Sequence, residues 1–107
     1  MNEAGANVLY EAERKGIVQV RGGWGDSRGG RCAGGVLVNV LGFDAKRLAG
    51  LTREVSACPL CGSKTVKIQP ENRKVRVQTE WHLLVHFNDH HGLTFSEIAR
   101  KLGPDTA

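Results

Sequence analysis

The residues of this chain whose types and spacing could do chemistry are a cysteine pair and a run of histidines. The pair lies in Cys58-Pro-Leu-Cys61-Gly62, and the histidines are His82, His86, His90 and His91. Thiolate and imidazole are ligands for Zn²⁺, which takes them in a closed tetrahedron, and a short Cys-x-x-Cys turn lets two sulfurs point at one centre. Two histidines complete such a set. The pairs His86/His90 and His86/His91 both match the ligand spacing of a zinc module. Gly92 favours His86/His91, because a helix that ends there can tighten and swing His91 round to the metal, which leaves His90 and His82 as reserve candidates. The expected cofactor is one structural zinc ion.

Two other chemistries use the same residues. A redox Cys-x-x-Cys normally opens a helix after a strand, whereas here a strand is predicted to follow. Asn88, Asp89, His90 and His91 after a hairpin also have the outline of a metal-dependent nuclease site. Catalytic zinc keeps a position open for water, however, and four protein ligands leave none. A nuclease is therefore the weakest reading, and no catalytic residue is assigned.

The elements that must position these ligands follow from the patterning. Lys64-Thr-Val-Lys-Ile-Gln69 and Lys74-Val-Arg-Val-Gln78 each alternate polar and apolar residues about a turn at Pro70–Arg73, which predicts a β-hairpin. Val66, Ile68, Val75 and Val77 would share one side. Lys64, Lys67, Arg73, Lys74 and Arg76 make the hairpin basic, either as a solvated face or as a phosphate-contacting ribbon. A helix from Thr79 or Glu80 to Asp89 carries Trp81, Leu84, Val85 and Asn88 on successive turns and His82, His86 and His90 on one stripe. Thr94-Phe-Ser-Glu97 is a capping box. It opens a last helix that buries Phe95, Ile98, Ala99 and Leu102 and is expected to pack on the histidine helix. This helix resembles the first of a helix-turn-helix, but no recognition helix is expected after it.

The first half reads as helical. Residues 4–15 suit a helix with Val8, Leu9 and Ala12 on one face, stopped at Gly16. Ile17–Val20 reads as a strand. Residues 21–31 have the composition of a loop and contain two Arg-Gly-Gly triplets around Trp24. Arg21, Arg28 and Arg31 could bind phosphate and Trp24 could stack on bases. Otherwise the stretch is a connection with Trp24 folded back. A helix over 31–42 places Cys32, Val36 and Val40 four apart, beside Leu37 and Leu41, with Gly34 and Gly35 marking close packing. Cys32 reads as a small buried residue rather than a reactive thiol. Asp44 can cap a third helix, Ala45–Leu51, that buries Leu48 and Leu51.

A chain of 107 residues with 40% hydrophobic and 6% aromatic content builds one small, thin core, which a metal staple would supplement. The expected fold class is α+β, a single domain over residues 1–107. It comprises a helical subregion (1–53) and a ββα-like zinc subregion (54–107) with the basic hairpin and two C-terminal helices. Three cysteines form no disulfide framework, so a reducing, cytoplasmic setting is expected. No signal-peptide pattern and no membrane-length apolar run is present. The formal charge of +4 permits contact with phosphate backbones or acidic proteins.

Two stretches carry a resemblance. Gly16-Ile-Val-Gln followed by Gly30-Arg-Cys-Ala-Gly-Gly-Val-Leu and Gly42 is one. His86-Phe-Asn-Asp-His-His-Gly-Leu-Thr-Phe-Ser-Glu-Ile-Ala after a Cys-Pro-x-Cys is the other. Together they resemble a family of small, functionally uncharacterised proteins of actinobacteria and their phages. Leu93 and Gly35 stand where that family usually has tryptophan and alanine, and the hairpin here is longer. The resemblance implies His86 and His91 as ligands and a phage-type accessory protein, and it implies no activity. The expected function is a non-catalytic zinc-stabilised module whose partner is nucleic acid or a nucleoprotein complex. The alternative is an effector that occupies a host protein. No small-molecule substrate or membrane is expected.

Overall fold

The computed structural model describes residues 1–23, 25–68 and 73–104. Among these it has five helices and one two-stranded antiparallel sheet, an α+β single domain. The helices are α1 (Glu3–Arg14), α2 (Ala33–Leu41), α3 (Ala45–Leu48), α4 (Glu80–Asp89) and α5 (Phe95–Leu102). The strands are β1 (Thr65–Ile68) and β2 (Arg73–Arg76). Among the described residues no helix is long and apolar enough to cross a membrane.

Helices α1 and α5 begin where the sequence supplies oxygen acceptors for their free N–H groups. Asn2 Oδ1 accepts from Gly5 N at 2.9 Å to start α1. Thr94 Oγ1 accepts from Glu97 N at 3.2 Å while Glu97 Oε1 accepts from Thr94 N at 3.1 Å, so the capping box of α5 is formed. The buried residues of α5 are Phe95, Ile98, Ala99 and Leu102, the periodic apolar positions. This helix packs on α4, the histidine helix, as expected, and more extensively on α1. A 3.6-residue stripe fixes which face is buried, not which neighbour covers it. The core is one cluster in which Leu9, Leu37, Leu51, Leu84, Phe95 and Ile98 are fully buried. Burying each of these large side chains contributes about 2 kcal/mol.

The first half departs from the sequence reading in several places. Residues 17–20 make no strand. Gln19 forms a single bridge to Arg31, with Val20 N donating to Arg31 O at 3.0 Å and Arg31 N to Val18 O at 2.9 Å. The β-branched run meets one residue rather than a second strand. Asp26 closes the glycine-rich turn, accepting from Gly30 N at 2.8 Å and Arg28 N at 3.0 Å. Trp24 lies outside the described residues.

Cys32 is buried at the start of α2, where its Sγ accepts from Gly35 N at 3.2 Å and burial pushes its thiol pKa up. That is the inert reading, not the reactive one. Val40 is 60% exposed, so the Cys32–Val36–Val40 stripe is buried only in its first turns. The third helix is a single turn without a side-chain bond from Asp44; Leu51 is buried, but Leu48 is exposed and Ala45 and Ala49 are buried instead. These shifts come from tertiary packing, which overrides local pattern in short elements.

In the hairpin, Thr65 stands opposite Arg76, Val66 opposite Val75, and Lys67 opposite Lys74. Val66 and Val77 are buried and Val75 half-buried, so this apolar side lies on α4. The expected turn at 70–73 falls largely outside the described residues.

Candidate metal centre

The four side chains that come together are Cys58, Cys61, His86 and His91, whose ligand atoms all lie within 4.8 Å of one another. Cys58 Sγ is 3.4 Å from His91 Nε2, and Cys61 Sγ is 3.3 Å from His86 Nε2. Such a set can hold one metal ion. The thiols sit on a tight knuckle. Gly62, at φ 71°, donates its N–H to Cys58 O at 2.8 Å, and Cys58 N donates to Ser63 O at 2.9 Å. Leu60 N points at Cys58 Sγ from 3.4 Å, a donor suited to a thiolate.

The imidazoles come from the last turn of α4. His86 is buried on the helix and His91 lies just past it. His90 N and His91 N both reach back to His86 O, at 2.8 and 3.4 Å. The second bond spans five residues and widens the turn, which brings His91 round beside His86. Gly92, at φ 63°, then ends the helix, and Leu93 N closes on Phe87 O at 3.1 Å. A side chain at Gly92 would also meet the guanidinium of Arg21.

The surroundings of Cys58, His86 and His91 favour their neutral forms when protons alone compete for them. Burial pushes the Cys58 thiol up, against the opposing pull of the Leu60 and Cys61 N–H groups. Burial pushes His86 down, aided by His91 and His90, and desolvation with His90 does the same to His91. Neutral imidazoles are the ligand form, whereas the thiols must release protons to bind.

The reserve candidates have other work. His90 stacks on His86, with ring centroids 4.9 Å apart and planes 8° from parallel, and it is exposed outside the cluster. His82 caps its own helix: its Nδ1 accepts from Thr79 N at 3.2 Å, with Thr79 Oγ1 at 2.9 Å. Burial and the nearby Lys46 push the His82 pKa below its ordinary 6.5. A protonated ring would lose this acceptor. Its contribution is therefore complete above pH about 6.5 and declines as the pH falls from there toward the lower folded value. We expect His82→Gln to flatten the acid side of the stability–pH curve below pH about 6.5, measured by urea unfolding. A wild-type slope shared by the variant would contradict this.

Of the residues expected to meet nucleic acid, Lys64, Lys74, Arg76, Arg21 and Arg28 are exposed and Arg31 is half-buried. The side chains of Lys67 and Arg73 lie outside what the structure describes, as does Trp24. What the sequence reading missed is Asn88, which is fully buried. Its Oδ1 accepts from Gln19 Nε2 at 2.7 Å and Ala33 N at 3.0 Å. Its Nδ2 donates to Val20 O at 2.9 Å and Asp89 Oδ1 at 2.8 Å. Asp89 Oδ1 also accepts from Gly22 N at 3.0 Å. The Asn88–Asp89 pair of the nuclease outline thus ties the glycine-rich segment and the start of α2 to the ligand-bearing turn. The available signal was an amide in a helical stripe otherwise made of Trp81, Leu84 and Val85.

No family model, curated protein or solved structure matches this chain.

Proposed function

We propose that this chain is a non-catalytic binding module, stapled by one structural zinc ion, that presents a basic hairpin to nucleic acid or a nucleoprotein complex. Two cysteines and two histidines are a closed zinc set with no position left for substrate water. Zinc–sulfur and zinc–nitrogen bonds at a tetrahedral angle give sulfur–nitrogen edges of about 3.5 Å. The sulfur–nitrogen distances of 3.4 and 3.3 Å support that fit. In this reading Cys58, Cys61, His86 and His91 hold the ion, and the ion locks the knuckle below the hairpin to the end of α4. The resemblance to phage-type proteins fits an accessory role.

One observation carries the nucleic-acid reading. Lys64, Lys74 and Arg76 are exposed and make no ion pair among the described residues. Several acidic groups are engaged elsewhere: Glu80 by Arg53 and the Met1 amino group, Glu11 by Arg14 and Lys15, and Asp26 and Asp89 by backbone N–H groups.

Binding to random-sequence single strands and duplexes should weaken with salt, with a log–log slope of about −3 for three or four neutralised phosphates. Arg76→Ala should lower that slope by about 1, as read by fluorescence anisotropy. No binding even at low salt would remove nucleic acid as the partner.

A protein partner is the second reading, and a separate surface favours it. Val40 is largely exposed and lines, with Val8, Ala12, Ile17 and Val36, a groove of about 360 Å³ between α1 and α2, and Phe43, just past α2, is wholly exposed. Exposed apolar patches of this kind mark protein contacts.

A further inference from the structure

The hairpin and α4 leave a cleft of about 430 Å³ between them, bounded by Ser63, Thr65, Lys74, Asp89 and His90, with His86 of the metal centre in one wall. Its size falls in the range of small-ligand sites, roughly 300–1,000 Å³. The polar groups around it divide into those already engaged and those with nothing to bind. Ser63 Oγ donates to Thr65 O at 2.5 Å. Asp89 Oδ1 takes two N–H donors, from Gly22 and Asn88, which offset part of its charge. By contrast, the Lys74 ammonium, the Thr65 hydroxyl and the His90 ring nitrogens have no hydrogen bond or ion pair among the described residues. A lysine, a hydroxyl and an imidazole around one space are a set of donors short of acceptors. The ligand that complements them is an oxyanion with several acceptor oxygens. A centre of two thiolates around a dication would be formally neutral and would not repel it.

We propose that this cleft is a phosphate subsite and that it takes a phosphate of a nucleic-acid backbone, with Lys74, Thr65 and His90 as its donors. The proposal rests on the nucleic-acid reading above and makes it local. One hairpin cation, Lys74, acts inside a built site, whereas Lys64 lies outside it. The cleft, rather than the hairpin's overall charge, then fixes where the strand runs.

The test uses the full chain loaded with zinc. A short oligothymidylate, inorganic phosphate and Mn²⁺ are titrated separately, with affinity read by calorimetry and location by the amide and ring NMR signals of Thr65, Lys74 and His90. Zinc content is checked for every variant, because His90 neighbours a ligand. Lys74→Ala and His90→Ala should each weaken oligothymidylate binding about tenfold, the loss of a charge-assisted hydrogen bond, and Thr65→Val less. Lys64→Ala, which removes a hairpin cation outside the cleft, should weaken binding less than Lys74→Ala does. Inorganic phosphate should shift the same signals and compete with the strand. Equal losses from Lys64→Ala and Lys74→Ala would overturn the subsite while leaving a basic hairpin that binds nucleic acid. Phosphate that binds in the cleft without any strand binding would overturn the backbone assignment and the nucleic-acid reading together. Paramagnetic broadening by Mn²⁺ centred on Asp89 and His90, with no response to phosphate, would make the cleft a cation site and overturn the proposal.

Discussion

Stripping the metal from this protein should cost it most of its tertiary structure. Structural zinc in small modules is worth about 10–16 kcal/mol of apparent binding free energy at neutral pH, as large as the 5–15 kcal/mol by which a domain is usually stable. The ligands here join the knuckle at Cys58–Cys61, which opens the hairpin, to the end of α4. The sheet has two strands, and a two-stranded hairpin is marginal by itself. Clean protein should carry about one zinc per chain by elemental analysis. Cys58→Ser should lose it and shift thermal unfolding down by tens of degrees, or abolish the transition. His90→Ala and His82→Ala should retain it. Because burial raises the Cys58 thiol, proton competition should begin there, and chelator sensitivity should increase as the pH is lowered. A metal-free preparation with an unchanged melting curve would end the zinc reading.

Asn88→Leu should be the most damaging substitution outside the ligands. The leucine is close in volume but strands Ala33 N and Val20 O, while Gln19 Nε2 keeps its bond to Leu93 O. Each buried group so abandoned costs about 1–3 kcal/mol, and the neighbours can recover some of it. A loss of about 3 kcal/mol in urea unfolding is expected, a large part of a small domain's stability. Hydrogen exchange should speed up at residues 18–22 and at Ala33, far along the chain from the substitution. Asn88→Asp keeps the two acceptor bonds and loses the two donated ones, so it should fall between wild type and leucine. A loss under about 0.5 kcal/mol would mean that the amide network is incidental.

What could be read from the chain alone follows the range of the forces involved. The knuckle, the capping box of α5 and the buried set Phe95, Ile98, Ala99 and Leu102 are local in sequence, and all could be placed without a structure. The hairpin was legible from its period-two alternation, and the α+β class followed. Non-local choices were not legible. Val40 and Leu48 are apolar at helical spacing, yet packing leaves both exposed. Ile17–Val20 has strand composition, but Arg31 alone pairs there. Two pairs of histidines satisfied the ligand spacing, and Gly92 pointed to His86/His91, the pair that the structure brings to the cysteines. The turn at His86–Leu93 sets which ring faces the sulfurs, and His82 is occupied by a cap that only its neighbour Thr79 reveals.

Asn88 sits between His86 and His91 on the same helical turn, facing the opposite way from the sulfurs. If an ion holds the knuckle to α4 as proposed, slackening its coordination should also loosen, through Asn88 and Asp89, the segment that displays Arg21, Arg28 and Arg31.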